Sequence, residues 1–79
     1  MRIVAEIPRP ECKITVFSWN SKFLVKLEQG PLEQTYKISE LDASEADVRR
    51  LASDEKFIAE ALARFEQMGG DLGAALDRA

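Results

Sequence analysis

The sequence predicts an α+β fold in two layers, with a four-stranded antiparallel meander followed by two C-terminal helices packed on one face of the sheet (ββββαα). The first 38 residues are rich in β-branched and aromatic residues with period-two alternation, which is typical of strands. The remainder is rich in Ala, Glu, Asp, Leu and Arg, with apolar residues at helical spacing. A chain of 79 residues is too short to divide, so residues 1–79 are expected to form one domain.

The first strand is predicted over about residues 2–8. Ile3, Ala5 and Ile7 recur at every second position, so they would share one side of this strand. Residues 8–11, with the sequence Pro-Arg-Pro-Glu, end the strand because proline has no N–H to donate to a sheet.

The second and third strands, over about residues 12–19 and 22–29, are predicted to form a hairpin. Asn20 and Ser21 lie between them, and asparagine tolerates left-handed backbone, which favours a tight two-residue turn. That turn predicts the cross-strand pairs Trp19 with Lys22, Phe17 with Leu24, Thr15 with Lys26, and Lys13 with Glu28.

The fourth strand is predicted over about residues 32–38, after a turn at Gly30-Pro31. A two-residue turn there would place Glu28 opposite Glu33, where like charges are unfavourable. The predicted register keeps this pair, and a longer loop is the alternative that would separate the two charges.

This register divides the sheet into two faces, because successive side chains of a strand point to opposite sides. The core face is predicted to collect the apolar side chains of Ile3, Ala5, Ile7, Ile14, Val16, Phe23, Val25, Leu27, Leu32, Tyr36 and Ile38. The second face is predicted to collect Lys13, Thr15, Phe17, Trp19, Lys22, Leu24, Lys26, Glu28, Glu33, Thr35 and Lys37. The helices are expected to cover the core face.

The first helix is predicted over about residues 44–52. Ser44 and Asp47 form a variant of the capping box, with aspartate in place of the usual glutamate. Glutamate-first pairs at four-residue spacing, which stabilise exposed helix faces, are expected in both helices: Glu45 with Arg49, and Glu60 with Arg64.

The second helix is predicted over about residues 54–68, capped by Ser53 or Asp54. Its apolar stripe consists of Phe57, Ile58, Ala61, Leu62, Phe65 and Met68. Gly69-Gly70 predicts the end of this helix, because glycine readily adopts the left-handed conformation of a C-terminal cap. A short final helix is expected over about residues 71–78.

Residue types suited to catalysis or metal binding are scarce. The chain has no histidine and one cysteine, Cys12, which excludes an internal disulfide and the common zinc sites. Its four glycines match no phosphate-binding loop, and the acidic residues Asp42, Glu45 and Asp47 are interpreted as helix-start carboxylates. We predict no catalytic, cofactor-binding or metal-binding residue, a buried and unreactive Cys12, and therefore a non-enzymatic protein.

The predicted compartment is the cytoplasm. The N-terminal residues carry Glu6 and Pro8, which interrupt any apolar segment of a secretory signal, and no apolar run approaches the roughly 20 residues of a membrane span. A lone thiol is consistent with a reducing compartment.

The second face carries the candidate interface. Its apolar residues Phe17, Trp19 and Leu24 are expected to lie together, with lysines around them: Lys13, Lys22, Lys26 and Lys37. An exposed apolar cluster usually marks an interface, and a chain this small normally needs a disulfide, a metal or a partner subunit for stability. We predict a homodimer that packs sheet against sheet through this face, or a module that binds another protein there.

Three other possibilities remain open at this level. The second face is also suited to single-stranded nucleic acid, because bases stack on aromatic rings while lysines follow the backbone. In element order alone the chain resembles Pur-alpha-type and Whirly-type modules, which bind single strands. A sequence pI of 4.9 and the scarcity of arginine in the sheet disfavour this reading. Alternatively, residues 71–79 could cover the second face within the same chain, or be exchanged between two subunits.

Overall fold

The computed structural model describes residues 1–79 and confirms the α+β architecture. The four strands form one antiparallel sheet in the order β1-β2-β3-β4, and two helices follow it. The elements are β1 (Arg2–Pro8), β2 (Lys13–Trp19), β3 (Lys22–Gln29), β4 (Leu32–Ser39), α1 (Glu45–Ala52) and α2 (Glu55–Arg78).

The hairpin between β2 and β3 has the predicted register. Trp19 lies opposite Lys22, Phe17 opposite Leu24, and the ladder continues to Lys13 opposite Glu28. Asn20 and Ser21 both have positive φ, at 55° and 62°, as a tight hairpin turn of this twist requires. The local turn signal therefore determines which residues reach each face of these two strands.

The turn between β3 and β4 has the two residues that the predicted strand bounds leave between them, and the alternative of a longer loop is wrong. Gln29 pairs with Leu32 across Gly30-Pro31, so the loop has two residues and Glu28 does lie opposite Glu33. Gly30 has a φ of 57°, which glycine adopts without steric cost. The ammonium of Lys26 lies 3.4 Å from a carboxylate oxygen of Glu33, and this ion pair offsets the repulsion that argued for a longer loop.

The prediction for the first residues of β1 is wrong in one respect. A β-bulge between Ile3 and Ala5 shifts the register, so that Ile3 lies opposite Phe17 and Ala5 opposite Val16. Ile3 is therefore on the second face, 55% exposed, whereas Val4 within the bulge is buried. Simple alternation fails here because a bulge inserts one extra residue into the strand.

The core lies between the sheet and the two helices. Twelve apolar residues are buried in one cluster: Val4, Cys12, Ile14, Val16, Phe23, Val25, Leu27, Val48, Ala52, Ile58, Ala61 and Phe65. Gln34 of β4 interrupts the apolar core face, and its side-chain amide donates to the carbonyl of Ala61 at 2.8 Å. Arg64 donates to Gln34 and to the hydroxyl of Tyr36, at 3.1 and 2.9 Å, instead of forming the expected ion pair with Glu60.

Both helix N-termini are capped by side chains. The Ser44 hydroxyl accepts from the N–H of Asp47, and the Asp47 carboxylate accepts from the N–H of Ser44, which confirms the capping box. Asp54 caps α2 by accepting from the N–H of Lys56 at 3.0 Å. Each cap satisfies backbone donors that the first turn leaves free.

The end of α2 corrects a second prediction. The helix is continuous from Glu55 to Arg78, through Gly69 and Gly70, and neither glycine has a positive φ. Glycine costs about 1 kcal/mol in a helix relative to alanine, but it retains its N–H and does not by itself end a helix. Every residue from Gly69 onward is exposed, so the last part of α2 has no tertiary cover.

A bidentate ion pair joins the start of α2 to the β1–β2 connection. The guanidinium of Arg9 donates to both carboxylate oxygens of Glu55, at 2.8 and 3.1 Å. Hydrogen bonding from Arg9, followed by its positive charge, lowers the pKa of the Glu55 carboxyl below its ordinary value. A lowered carboxyl pKa stabilises the fold above the ordinary pKa, and this contribution disappears as the pH falls through the lowered value.

We accordingly expect Glu55→Gln to weaken the pH dependence of stability. The wild type should lose the contribution of this pair below about pH 5, where an ordinary glutamate begins to protonate, and the variant should lack that loss. Urea unfolding midpoints measured at several pH values provide the check. Glu66→Gln, an exposed glutamate of α2 without an ion pair, is the matched control, and equal pH profiles for Glu55→Gln and the wild type would contradict the prediction.

Candidate functional site: the second face of the sheet

An apolar row crosses three strands of the second face. Phe17 of β2 lies opposite Ile3 of β1 on one side and Leu24 of β3 on the other. Trp19, two residues from Phe17 on the same face, is 52% exposed, whereas Phe17 and Leu24 are half-buried. The helices pack on the opposite face, so no element of the chain covers this row.

The predicted trio of Phe17, Trp19 and Leu24 is therefore together, with Ile3 as an additional member. Sequence reasoning missed Ile3 because the alternation of β1 placed it on the core face. The bulge turns the Ile3 side chain to the second face, and the sequence of β1 contains no glycine that would mark the bulge.

A shallow depression of about 210 Å³ lies next to the apolar row. It is lined by Met1, Phe17, Leu24, Lys26, Glu33 and Thr35. Half of this lining is apolar and half polar, and one acidic and one basic side chain meet at its rim. The depression is large enough for one inserted side chain.

The four predicted lysines are not equivalent. Lys26 is half-buried and paired with Glu33, while Lys13, Lys22 and Lys37 are exposed and form no salt bridge. Lys22 and Lys37 flank the apolar row, since Lys37 lies opposite Leu24 and Lys22 opposite Trp19.

Lys13 does not belong to the cluster around the aromatic rings. It lies four residues from Phe17 along β2, about 13 Å at the rise of a strand, and Thr15 lies between them. Its cross-strand neighbour is Glu28. Glutamates share the second face at this end of the sheet, so its surface is of mixed charge.

Cys12 is buried in the core cluster, which confirms the predicted burial. Burial, assisted by the negative charge of Glu11, raises the pKa of its thiol. A raised pKa reduces the thiolate fraction, and the thiolate is the reactive form. No group of three or more cysteine, aspartate or glutamate side chains lies together in a way that could hold a metal ion.

The C-terminal segment does not fold back over the second face. Residues 71–78 continue α2, and all of them are exposed, including Leu72 at 43% and Leu76 at 65%. A continuous helix cannot bend around the edge of the sheet. The possibility that residues 71–79 cover Phe17, Trp19 and Leu24 within the same chain is therefore wrong.

The fold and this surface define a small α+β domain with one face of its sheet uncovered. Comparison of the chain with protein-family models, with curated proteins and with solved structures gave no match. Neither helix is both long enough and apolar enough to cross a membrane.

Proposed function

We propose that this protein is a non-enzymatic cytoplasmic protein that acts by association, as a homodimer whose copies meet through their second faces. The observation that carries the proposal is the uncovered apolar row of Ile3, Phe17 and Leu24 with Trp19 beside it. Removing such a row from water is favourable by about 25 cal/mol for each Å² of apolar surface.

The small core gives a reason for self-association. Only 13 of the 79 residues are buried, and no disulfide supplements them. Domains of this size usually obtain only a few kcal/mol from one core, about 3–5 at most, so a partner subunit contributes a substantial share of stability.

The arrangement of the apolar row favours a second copy as the occupant. Phe17 lies at the middle of the row, with Ile3 on one side and Leu24 on the other. A two-fold axis through the middle of the row would set it against the same row of the other copy, which is the self-complementarity that a symmetric contact requires.

Trp19→Ala is expected to halve the molar mass of the assembly in solution, because it removes the most exposed large ring of the row. Light scattering behind a sizing column over a range of protein concentrations measures the mass against 8.9 kDa for one chain. Phe17→Glu, which places a charge at the centre of the row, should have the same effect.

Leu41→Ala is the matched control, because Leu41 is 96% exposed and lies outside the second face. Unchanged mass in soluble Trp19→Ala and Phe17→Glu would rule out this contact. The emission of Trp19, the one tryptophan of the chain, should also shift to longer wavelength on dilution as the contact opens. Salt-sensitive quenching of that emission by a short oligonucleotide, without a change of mass in either variant, would replace this proposal by single-strand binding.

A further inference from the structure

We infer that β4 pairs edge to edge with β4 of a second copy, with Thr35 opposite Thr35, so that two four-stranded sheets become one sheet of eight strands. This contact goes beyond the proposed function, because it uses the edge of the sheet and not the second face. The two contacts use different groups, the open backbone edge of β4 here and the apolar row of the second face there.

The two edges of the sheet differ in their capacity to pair. β1 contains the bulge between Ile3 and Ala5 and ends in Pro8, and both features obstruct pairing with another strand. β4 has eight residues in unbroken register with β3 and contains no proline. Of the two edge strands, β4 is the one with a regular row of free backbone groups.

The free backbone groups of β4 belong to every second residue. The N–H of Glu40 donates to the carbonyl of Ser21 at 3.1 Å, which shows that even-numbered residues bond towards β3. Since bonding in an antiparallel pair alternates from residue to residue, Glu33, Thr35 and Lys37 direct their N–H and C=O groups to the open edge. These six groups can form six hydrogen bonds with the same residues of a second copy.

Pairing centred on Thr35 makes the side chains of the second face complementary. Glu33 of each copy lies opposite Lys37 of the other, which gives two ion pairs related by the two-fold axis. Opposite charges at such positions are favourable. Lys26 already lies 3.4 Å from Glu33, so each glutamate would sit between two cations.

The same register matches the side chains of the core face. Leu32 of each copy lies opposite Ile38 of the other, and Gln34 lies opposite Tyr36. A shift of two residues in either direction separates Glu33 from Lys37 and Leu32 from Ile38, since it places Lys37 opposite Thr35 or Pro31 of the other copy. One register is thus distinguished by charge and by apolar contact together.

Incomplete burial is found on the side of the core next to this edge. The core-face residues of β3, Phe23, Val25 and Leu27, are buried. Their neighbours on β4, Leu32, Tyr36 and Ile38, are only partly buried. A second copy paired along β4 would bring its own Leu32 and Ile38 against these exposed parts.

Disulfide formation at position 35 tests the register. In a Cys12→Ala background, Thr35→Cys places two thiols on opposed residues of a hydrogen-bonded pair, with Cα atoms about 5.5 Å apart. That spacing lies within the range of a disulfide, so mild oxidation should yield covalent dimers. Packed sheet faces lie about 10 Å apart, so the contact through the second face cannot give this crosslink.

Lys37→Cys in the same background is the matched control. Lys37 is also exposed on β4, but in the proposed register it lies four residues away from Lys37 of the other copy. We expect Thr35→Cys to crosslink at least about tenfold faster, since the cysteines at position 37 are beyond disulfide reach. Equal rates, or crosslinking only at position 37, would overturn the inference. Trp19→Ala added to Thr35→Cys should leave the rate unchanged, which separates this contact from the one through the second face.

A change of charge supplies a second readout. Lys37→Glu added to Thr35→Cys places glutamate opposite Glu33 twice and should slow crosslinking, whereas the further change Glu33→Gln removes this repulsion without placing a lysine beside Lys26 and should restore the rate. Slowing without restoration would contradict the proposed pairing of Glu33 with Lys37.

Discussion

Phe65→Ala is expected to lower the free energy of unfolding by about 3–5 kcal/mol, which is the cost of removing a fully buried phenylalanine side chain. Phe65 is the largest of the fully buried side chains and belongs to the single core cluster. The core of a domain of this size supplies only about 3–5 kcal/mol, so the variant should lose most of that contribution.

Circular dichroism with urea titration measures this effect. Leu76→Ala is the control on the same helix, because Leu76 is 65% exposed and its loss should change the free energy of unfolding by less than about 0.5 kcal/mol. A cooperative transition of Phe65→Ala within about 1 kcal/mol of the wild type would show that the core tolerates the cavity, contrary to this expectation.

Gly70→Ala combined with Gly73→Ala is expected to stabilise the last part of α2, by about 1 kcal/mol for each substitution. Both glycines lie inside the helix without positive φ, and an added Cβ meets no atom within 4 Å at either position. Alanine therefore adds helix propensity without a steric cost. Helical ellipticity and protection of amide hydrogens over residues 70–78 should both increase.

The sign of this change discriminates between a continuous helix and a helix that stops at the glycines. If Gly70 were a left-handed cap, alanine there would be strained and would reduce both quantities. Gly30→Ala is the control for such strain, since Gly30 has a φ of 57° and its replacement should destabilise the protein.

Local signals predicted most of the fold correctly. The Asn20–Ser21 turn and the period-two pattern determined the register of β2 and β3, and with it the position of Phe17 opposite Leu24. The capping box at Ser44 likewise depends only on residues within one turn. These features are predictable because each is decided by neighbours in the sequence.

The errors concern residues whose state depends on more distant parts of the chain. Ile3 lies on the second face because β1 has a bulge where it pairs with β2. Arg64 does not pair with Glu60 because Gln34 and Tyr36 of β4 accept hydrogen bonds from it. At Gly69-Gly70 the competing possibilities, a stop and a continuation, differ by only about 1 kcal/mol for each glycine. With so small a difference in free energy, the sequence pattern alone does not predict whether the helix ends at these glycines.

The sequence by itself determined the class of fold, the hairpin register and the meeting of Phe17, Trp19 and Leu24 on one face, since all three follow from alternation and turn chemistry. Only the tertiary structure decided that Ile3 joins that row, that α2 continues past the sheet, and that β4 is left with an open and regular edge. The physical reason is that strand partners and helix cover are contacts between residues far apart in the chain, and these contacts override local preferences of about 1 kcal/mol or less.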